Sequence, residues 1–219
     1  VKGAKPSLVL FWVGSNDVLG MVTSQDVNDH TKLSDFKKDY KAVLRELKNT
    51  GTKIVAANIP DITTVAYLID PQNPPIMPTI LKQLVIAPAG VRVPATIYIE
   101  AAQSALKGSL KIVTLTEDQY LSQGQLNEIR DVVKDFNSEI AKICDAQGIP
   151  LIDIYNVSTQ WHASGVSVAG DHLTTKYLGG VYSLDGIHPT YTTHALIANI
   201  FIDRINKEFG TKLEQVDVN

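Results

Sequence analysis

Leu8-Val9-Leu10-Phe11-Trp12-Val13-Gly14-Ser15-Asn16-Asp17 begins with six apolar residues and ends in a short polar block. The apolar run reads as a buried strand at about residues 7–13, with Gly14–Gly20 as the loop at its carboxyl end. Open α/β sheets place their chemistry at such carboxyl ends. Downstream, Thr23–Thr31 is polar, and Leu33, Phe36, Tyr40, Val43, Leu44 and Leu47 then recur at helical spacing. Asn49-Thr50-Gly51 stops that helix, and Lys53-Ile54-Val55-Ala56-Ala57-Asn58-Ile59-Pro60 reads as a second buried strand ended by proline. Strand, helix, strand is a βαβ unit, which predicts a parallel sheet.

Farther out the pattern weakens and then returns. Residues 61–122 are punctuated by Pro71, Pro74, Pro75, Pro78, Pro88 and Pro94 between apolar segments such as Ile80-Leu81 and Leu84-Val85-Ile86. A short helix around Ala101–Leu106 and a strand around Leu110–Leu115 fit there. So long an excursion exceeds what a connector needs, and reads as an insertion that caps the sheet or as a substrate-facing lid. From Gln125, the positions Leu126, Ile129, Val133, Phe136, Ile140 and Ile143 mark a long helix ended by Gly148. Pro150–Tyr155 reads as a third strand, followed by a glycine-rich polar loop. A last helix spans about Thr192–Phe209, is closed by Gly210, and leaves an acidic tail after Lys212 that reads as frayed. The chain is predicted to be one domain over 1–219.

Composition narrows the function classes. With 219 residues, 44% hydrophobic and 20% charged, the chain can fill the core of one α/β domain. A net charge of −3 and scattered basic residues argue against nucleic acid as a partner. No apolar stretch is long enough to span a bilayer. The single cysteine, Cys144, forms no intrachain disulfide and reads as a buried small side chain. His30, His162, His172 and His194 lack metal-ligand spacing, so no metal site is expected; His162 and His172 could line a pocket, and His194 reads as packing. Trp12 reads as core, and Trp161 as a pocket wall. Asp61, after Pro60, reads as a cap for the following segment.

Near the carboxyl end, Asp185-Gly186-Ile187-His188-Pro189-Thr190 offers a carboxylate and an imidazole three residues apart. A carboxylate that accepts from imidazole Nδ1 fixes the tautomer and stabilises the imidazolium formed in general-base catalysis. Pro189 biases His188 away from helix. At the other block, Asn16 can aim an amide at a developing oxyanion, worth about 2.7–4 kcal/mol. Gly14 gives the backbone room to turn, and Asp17 ties the loop together. Neither block alone is specific, and neither supplies a nucleophile.

In order and placement, the two blocks resemble those of the SGNH or GDSL-type serine hydrolases. Gly14-x-Asn16-Asp17 after a strand is similar to that family's third block, and Asp185-x-x-His188 to its fifth. Val55–Pro60 is similar to the strand after the third block in lipase-like members, and Ser183–Thr190 with Ala195–Asn199 resembles bacterial lipases or acylhydrolases of the family. The resemblance spans about residues 7–209. It implies a three-layer α/β/α, doubly wound parallel sheet of flavodoxin-like kind, with the N-terminal strand or strands missing from this chain. It also implies His188 as general base, Asp185 as its orienting carboxylate, Asn16 as an oxyanion donor, and no cofactor.

The family's serine lies in an earlier block, and a glycine N–H from a second block completes its oxyanion hole; neither block is present. Ser15, Ser109 and Ser183 match no nucleophile position. The expectation is therefore an ester hydrolase whose serine comes from an N-terminal segment of the same protein, this fragment alone being inactive. Its substrate would be an ester or lipid, with a membrane surface left open as a partner. The bacterial members imply a secreted, periplasmic or outer-membrane-associated setting. Two rivals stay open: a non-catalytic binding module on the same fold, and a carbohydrate acetylesterase.

Overall fold

A computed structural model describes residues 6–74 and 84–218. The readings at Pro75, Pro78 and Ile80-Leu81 lie outside them. The chain runs β1 (Leu8–Phe11), α1 (Ser15–Thr23), α2 (Leu33–Lys48) and β2 (Lys53–Ala57). The excursion holds β3 (Leu68–Ile69), β4 (Val85–Ile86), β5 (Val93–Pro94), α3 (Ala95–Leu106) and β6 (Val113–Thr114). Then come α4 (Gln123–Ala146), β7 (Leu151–Ile152), α5 (Ile154–Ser164), β8 (Val166–Val168), β9 (Asp171–Leu173) and α6 (Tyr191–Phe209).

The main sheet is parallel in the order β1-β2-β7, with Leu8 opposite Lys53 and Ala57 opposite Ile152. Alternation along β2 decides the layering, because successive side chains leave opposite faces of a strand. Ile54 and Ala56 join Phe36, Tyr40 and Leu44 of α2 and Val133, Phe136 and Ile140 of α4. Val55 and Ala57 join Ile154 of α5 and Ile197, Phe201 and Ile205 of α6. Helices therefore cover both faces, giving the expected three-layer, doubly wound α/β/α arrangement. Among the described residues, β1 has no strand on its outer edge, where Leu10 stays 52% and Val13 45% exposed.

Local chemistry sets the helix ends. Ser122 and Gln125 form a reciprocal capping box at the start of α4. Thr190 caps α6 by accepting from the Thr193 N–H, and Gly210 closes it in the left-handed conformation. Cys144 is buried beside the Tyr40 hydroxyl, and burial pushes its thiol pKa up.

Several expectations need correction. Ser15–Thr23 is helix rather than loop, and buries Val18, Met21 and Val22 at helical spacing. The third strand stops at Ile152, because Asp153 turns the chain by accepting from the Asn156 N–H and caps α5. The polar loop expected beyond it contains α5 and the β8–β9 hairpin. The helix placed around Ala101–Leu106 begins at Ala95, and the strand at Leu110–Leu115 shrinks to Val113–Thr114. The tail is tied rather than frayed: the Asn199 side chain makes two hydrogen bonds to the Val216 backbone, and Asn206 holds Leu213. His194 is exposed instead of packed. Within the excursion, Ile69, Val85, Val93, Tyr98 and Leu115 share a separate apolar cluster.

Candidate active site

The carboxyl end of β2 is anchored by side chains that sequence reading overlooked. The Asn58 amide donates to Asp153 Oδ1 at 2.8 Å and its Oδ1 accepts from the Tyr155 N–H at 2.9 Å. The Trp12 indole donates to the Asn58 carbonyl at 3.1 Å. Asn137 of α4 accepts from the Ile59 N–H and donates to the Ile59 carbonyl, both at 2.8 Å. Asp61 caps the turn after Pro60 as expected, accepting from the Thr63 N–H, while its own N–H donates to Ser158. Asn58, an asparagine directly after a buried strand, is the signal that could have found this belt, since buried amides seek backbone partners.

Above that belt lies an apolar cavity of about 230 Å³. Trp12, Asn16, Ile62, Val65, Trp161 and His188 are among its walls. The first block reaches it through Gly14, which adopts φ 115° at the amino end of α1. A Cβ at Gly14 would meet Ile59 Cδ1 at 2.9 Å, so both conformation and space require glycine. Asn16 thereby falls in the first turn of α1, exposed, with no hydrogen-bond partner for its side chain among the described residues. Asp17 follows in the same turn, where a carboxylate complements the helix dipole, and its carbonyl accepts from the Thr31 N–H. Ser15 also lines the cavity. Trp12 is wall as well as core, half-buried with its ring 6.0 Å from Phe201.

The second block lines the same cavity through Ile187, His188 and Pro189. His188 Nδ1 donates to Asp185 Oδ2 at 2.6 Å. Asp185 Oδ1 accepts from the Ile187 N–H at 2.8 Å, the His188 N–H at 2.9 Å and the Ser183 hydroxyl at 2.8 Å. Burial works to raise the Asp185 pKa, but the Ile187 N–H, the imidazole, the His188 N–H and the Ser183 hydroxyl outweigh it. The carboxyl is held well below its ordinary range. The imidazole is 76% exposed and Asp185 48%, so the pair is open to solvent and to an incoming group. Gly186 adopts φ 74°, and its carbonyl accepts from the Tyr67 N–H at 2.8 Å. A Cβ there would lie 2.6 Å from the Tyr67 nitrogen. The Tyr177 hydroxyl donates to the Leu184 carbonyl at 2.6 Å, latching the loop on its other side.

Asn16 and His188 thus face one cavity, with Asp185 behind the imidazole. Ser158 lines the cavity as Ser15 does, its hydroxyl donating to the Tyr155 carbonyl and accepting from the Asp61 N–H, but two other serines do not join them. Ser183 is engaged with Asp185, and Ser109 lines neither cavity. Beyond Val65, no described residue of the excursion borders the apolar cavity; Ile69, Asp70, Asn73 and Arg92 border a second, polar cavity instead. His162 and His172 also line the polar cavity, and Trp161 the apolar one.

The GDSL-like Lipase/Acylhydrolase family profile matches residues 1–201. No curated protein matches the chain. In fold, the chain is similar to the crystal structure of the acetyl xylan esterase AlAXEase, with TM-score 0.50 and 16% identity, covering 94% of this chain and 70% of that one. It is also similar to LAE5, an alpha/beta hydrolase enzyme from the metagenome of Lake Arreo, Spain. There the TM-score is 0.48 and the identity 15%, over 93% of this chain and 62% of that one.

Proposed function

This chain belongs to the GDSL-like lipase/acylhydrolase family, and from that premise we propose that its apolar cavity is the site of ester hydrolysis by serine acyl transfer. The observation that carries the reading is the 2.6 Å bond from His188 Nδ1 to an Asp185 carboxylate whose second oxygen is saturated by three donors. That bond leaves Nε2 unprotonated and able to act as a base.

In this reading a serine Oγ attacks the ester carbonyl carbon as His188 Nε2 takes its proton. The carbonyl π pair moves to oxygen, which receives the Asn16 amide N–H. Collapse breaks the ester C–O bond, and the departing alkoxide takes the proton from His188. Water then attacks the acyl-enzyme, giving its proton to the same nitrogen, and the carboxylic acid leaves as the serine is reprotonated. The aligned N–H groups at the start of α1 add positive potential near the oxyanion.

The serine, in this proposal, comes from an N-terminal segment of the same protein that pairs along the free edge of β1. An unpaired, apolar, parallel edge is costly to leave open, and Leu10 and Val13 give it an apolar surface to cover. The apolar walls favour an acyl chain, and about 230 Å³ is below the roughly 300–1,000 Å³ of sites that enclose drug-sized ligands. We therefore favour a short acyl chain, with acetylated carbohydrate as the competing substrate.

The test uses the full-length protein, a fluorophosphonate probe and a panel of nitrophenyl esters from acetate to decanoate. We expect the probe on a serine outside these 219 residues, and loss of both labelling and turnover in His188→Ala. Ser15→Ala should label normally. Label on Ser15, or turnover that survives His188→Ala, refutes the assignment. A folded full-length protein that neither labels nor turns over would instead establish the binding-module alternative.

A further inference from the structure

The larger cavity, of about 410 Å³, lies between the carboxyl end of α5, the β8–β9 hairpin and the Thr63–Asp70 segment. Val65 alone lines both cavities. We propose that this second cavity binds a phosphate group, either as the free anion or on a phosphorylated headgroup.

Unspent positive charge carries the inference. Lys176 is exposed at the rim, and its ammonium has no hydrogen-bond or ionic partner among the described residues. Arg92 uses Nη1 on the Val91 carbonyl at 3.1 Å and comes only within 3.9 Å of Asp70. Asp70, the one carboxylate in the lining, is already engaged by its own turn. Its Oδ1 accepts from the Gln72 N–H at 3.0 Å and its Oδ2 from the Asn73 amide at 3.3 Å. Asp70 offsets only one of the two cations, so the lining keeps a surplus of positive charge in a chain whose overall charge is −3.

A fixed imidazole completes the set. His162 Nδ1 is hydrogen-bonded to the buried Thr175 hydroxyl at 2.9 Å, which fixes the ring. Burial lowers the His162 pKa, and Arg92 and Arg130 push it the same way against Asp61. A planar guanidinium and a flexible ammonium suit the tetrahedral oxygens of phosphate. A neutral polyol would leave the surplus charge unmatched, a cation would be repelled by it, and an apolar group would desolvate both cations. The volume exceeds what phosphate alone fills, so a glycerol or sugar attached to it has room. This inference does not rest on the hydrolase reading. It does have a structural tie to the other cavity, since Tyr177 lines the polar one and bonds the carbonyl preceding Asp185.

Titration calorimetry on the full-length protein at low ionic strength, with inorganic phosphate as probe, tests the assignment. Saturable binding with a Kd on the order of 1 mM or tighter is expected. Arg92→Gln and Lys176→Gln should each weaken it about tenfold or more, as loss of a charged hydrogen bond implies. Lys176→Gln, at an exposed position, should melt like the wild type, which separates lost binding from lost folding. Glycerol 3-phosphate and short-chain phosphatidylcholine are the second arm. If either binds at least as tightly and displaces phosphate, a headgroup is the natural occupant; if neither does while phosphate binds, the free anion is. Absence of saturable phosphate binding, or undiminished binding in folded Lys176→Gln, overturns the proposal. So does binding of xylose or glucose that phosphate does not displace.

Discussion

The two cavities share a wall at Val65 and differ in nearly everything else. The apolar one is small, sits over the sheet's carboxyl end, and keeps its polar reach in Asn16 and His188. The polar one is nearly twice as large and lies outside the sheet, walled by the excursion and the hairpin. In the first, an electrostatic demand is met inside the protein: Asp185 is saturated and its partner imidazole is left with one free nitrogen. In the second it is met only in part, with Lys176 and Arg92 set against the single carboxylate of Asp70. A satisfied pair is built for proton transfer, whereas a surplus of positive charge is built for holding an anion.

Substitutions can break or sharpen that contrast. The largest effect is expected for Asp185→Asn in the full-length protein. It should keep the cavity's shape yet reduce kcat by about 10⁴-fold, because the imidazole would adopt the wrong tautomer. A loss below tenfold in steady-state ester turnover would erase the distinction between the cavities. Asn16→Ala comes next: kcat should fall by about 10²–10³-fold with KM little changed, as for a donor that acts in the transition state. A rise in KM at constant kcat would make Asn16 a ground-state contact instead.

Gly186→Ala probes the support between the cavities. A side chain at φ 74° and 2.6 Å from the Tyr67 nitrogen should cost about 1–3 kcal/mol in denaturant unfolding. An unchanged midpoint would show that the loop relaxes freely. Tyr177→Phe is milder, removing one hydroxyl bond to Leu184 worth about 0.5–1.5 kcal/mol. Its kcat should drop a few-fold, and no change in turnover would uncouple the polar cavity's wall from the His188 loop.

The smallest effect should come from a control far from both cavities. Glu139 accepts from Lys142 at 2.8 Å and pairs with Lys37 of α2 at 2.6 Å, which together hold its pKa down to about 2 from 4.5. The depressed pKa favours the folded state above about pH 4.5, and this advantage disappears as pH falls toward 2. The melting difference between wild type and Glu139→Gln should therefore be constant near neutrality and close in acid. A gap that widens in acid would contradict the pairing.

Legibility in the sequence followed how local the cause was. β1 and β2 were readable as continuous apolar runs, and α2, α4 and α6 because one face of each is buried and the helical spacing shows it. The Asp185–His188 contact was readable too, since the residues that shape it lie within a few positions of each other. α1 was misread because Ser15, Asn16 and Asp17 look like a turn while the packing of Val18, Met21 and Val22 decides otherwise. α5 was missed although Asp153 with Ile154, Val157 and Trp161 carries a cap and a helical stripe. The excursion's role was out of reach, because its cluster joins Ile69, Val93 and Leu115 across long separations.

The sequence by itself determined the βαβ beginnings, the two polar blocks, and the pairing of Asp185 with His188, all of which depend on neighbours within a helical turn or a short loop. Only the tertiary structure decided that Asn16 and His188 face one cavity and that Lys176 and Arg92 line another against a single carboxylate, Asp70. Those placements join residues more than eighty positions apart. They are set by how β1, β2 and β7 align and by which helices cover each face, and no local propensity encodes that alignment.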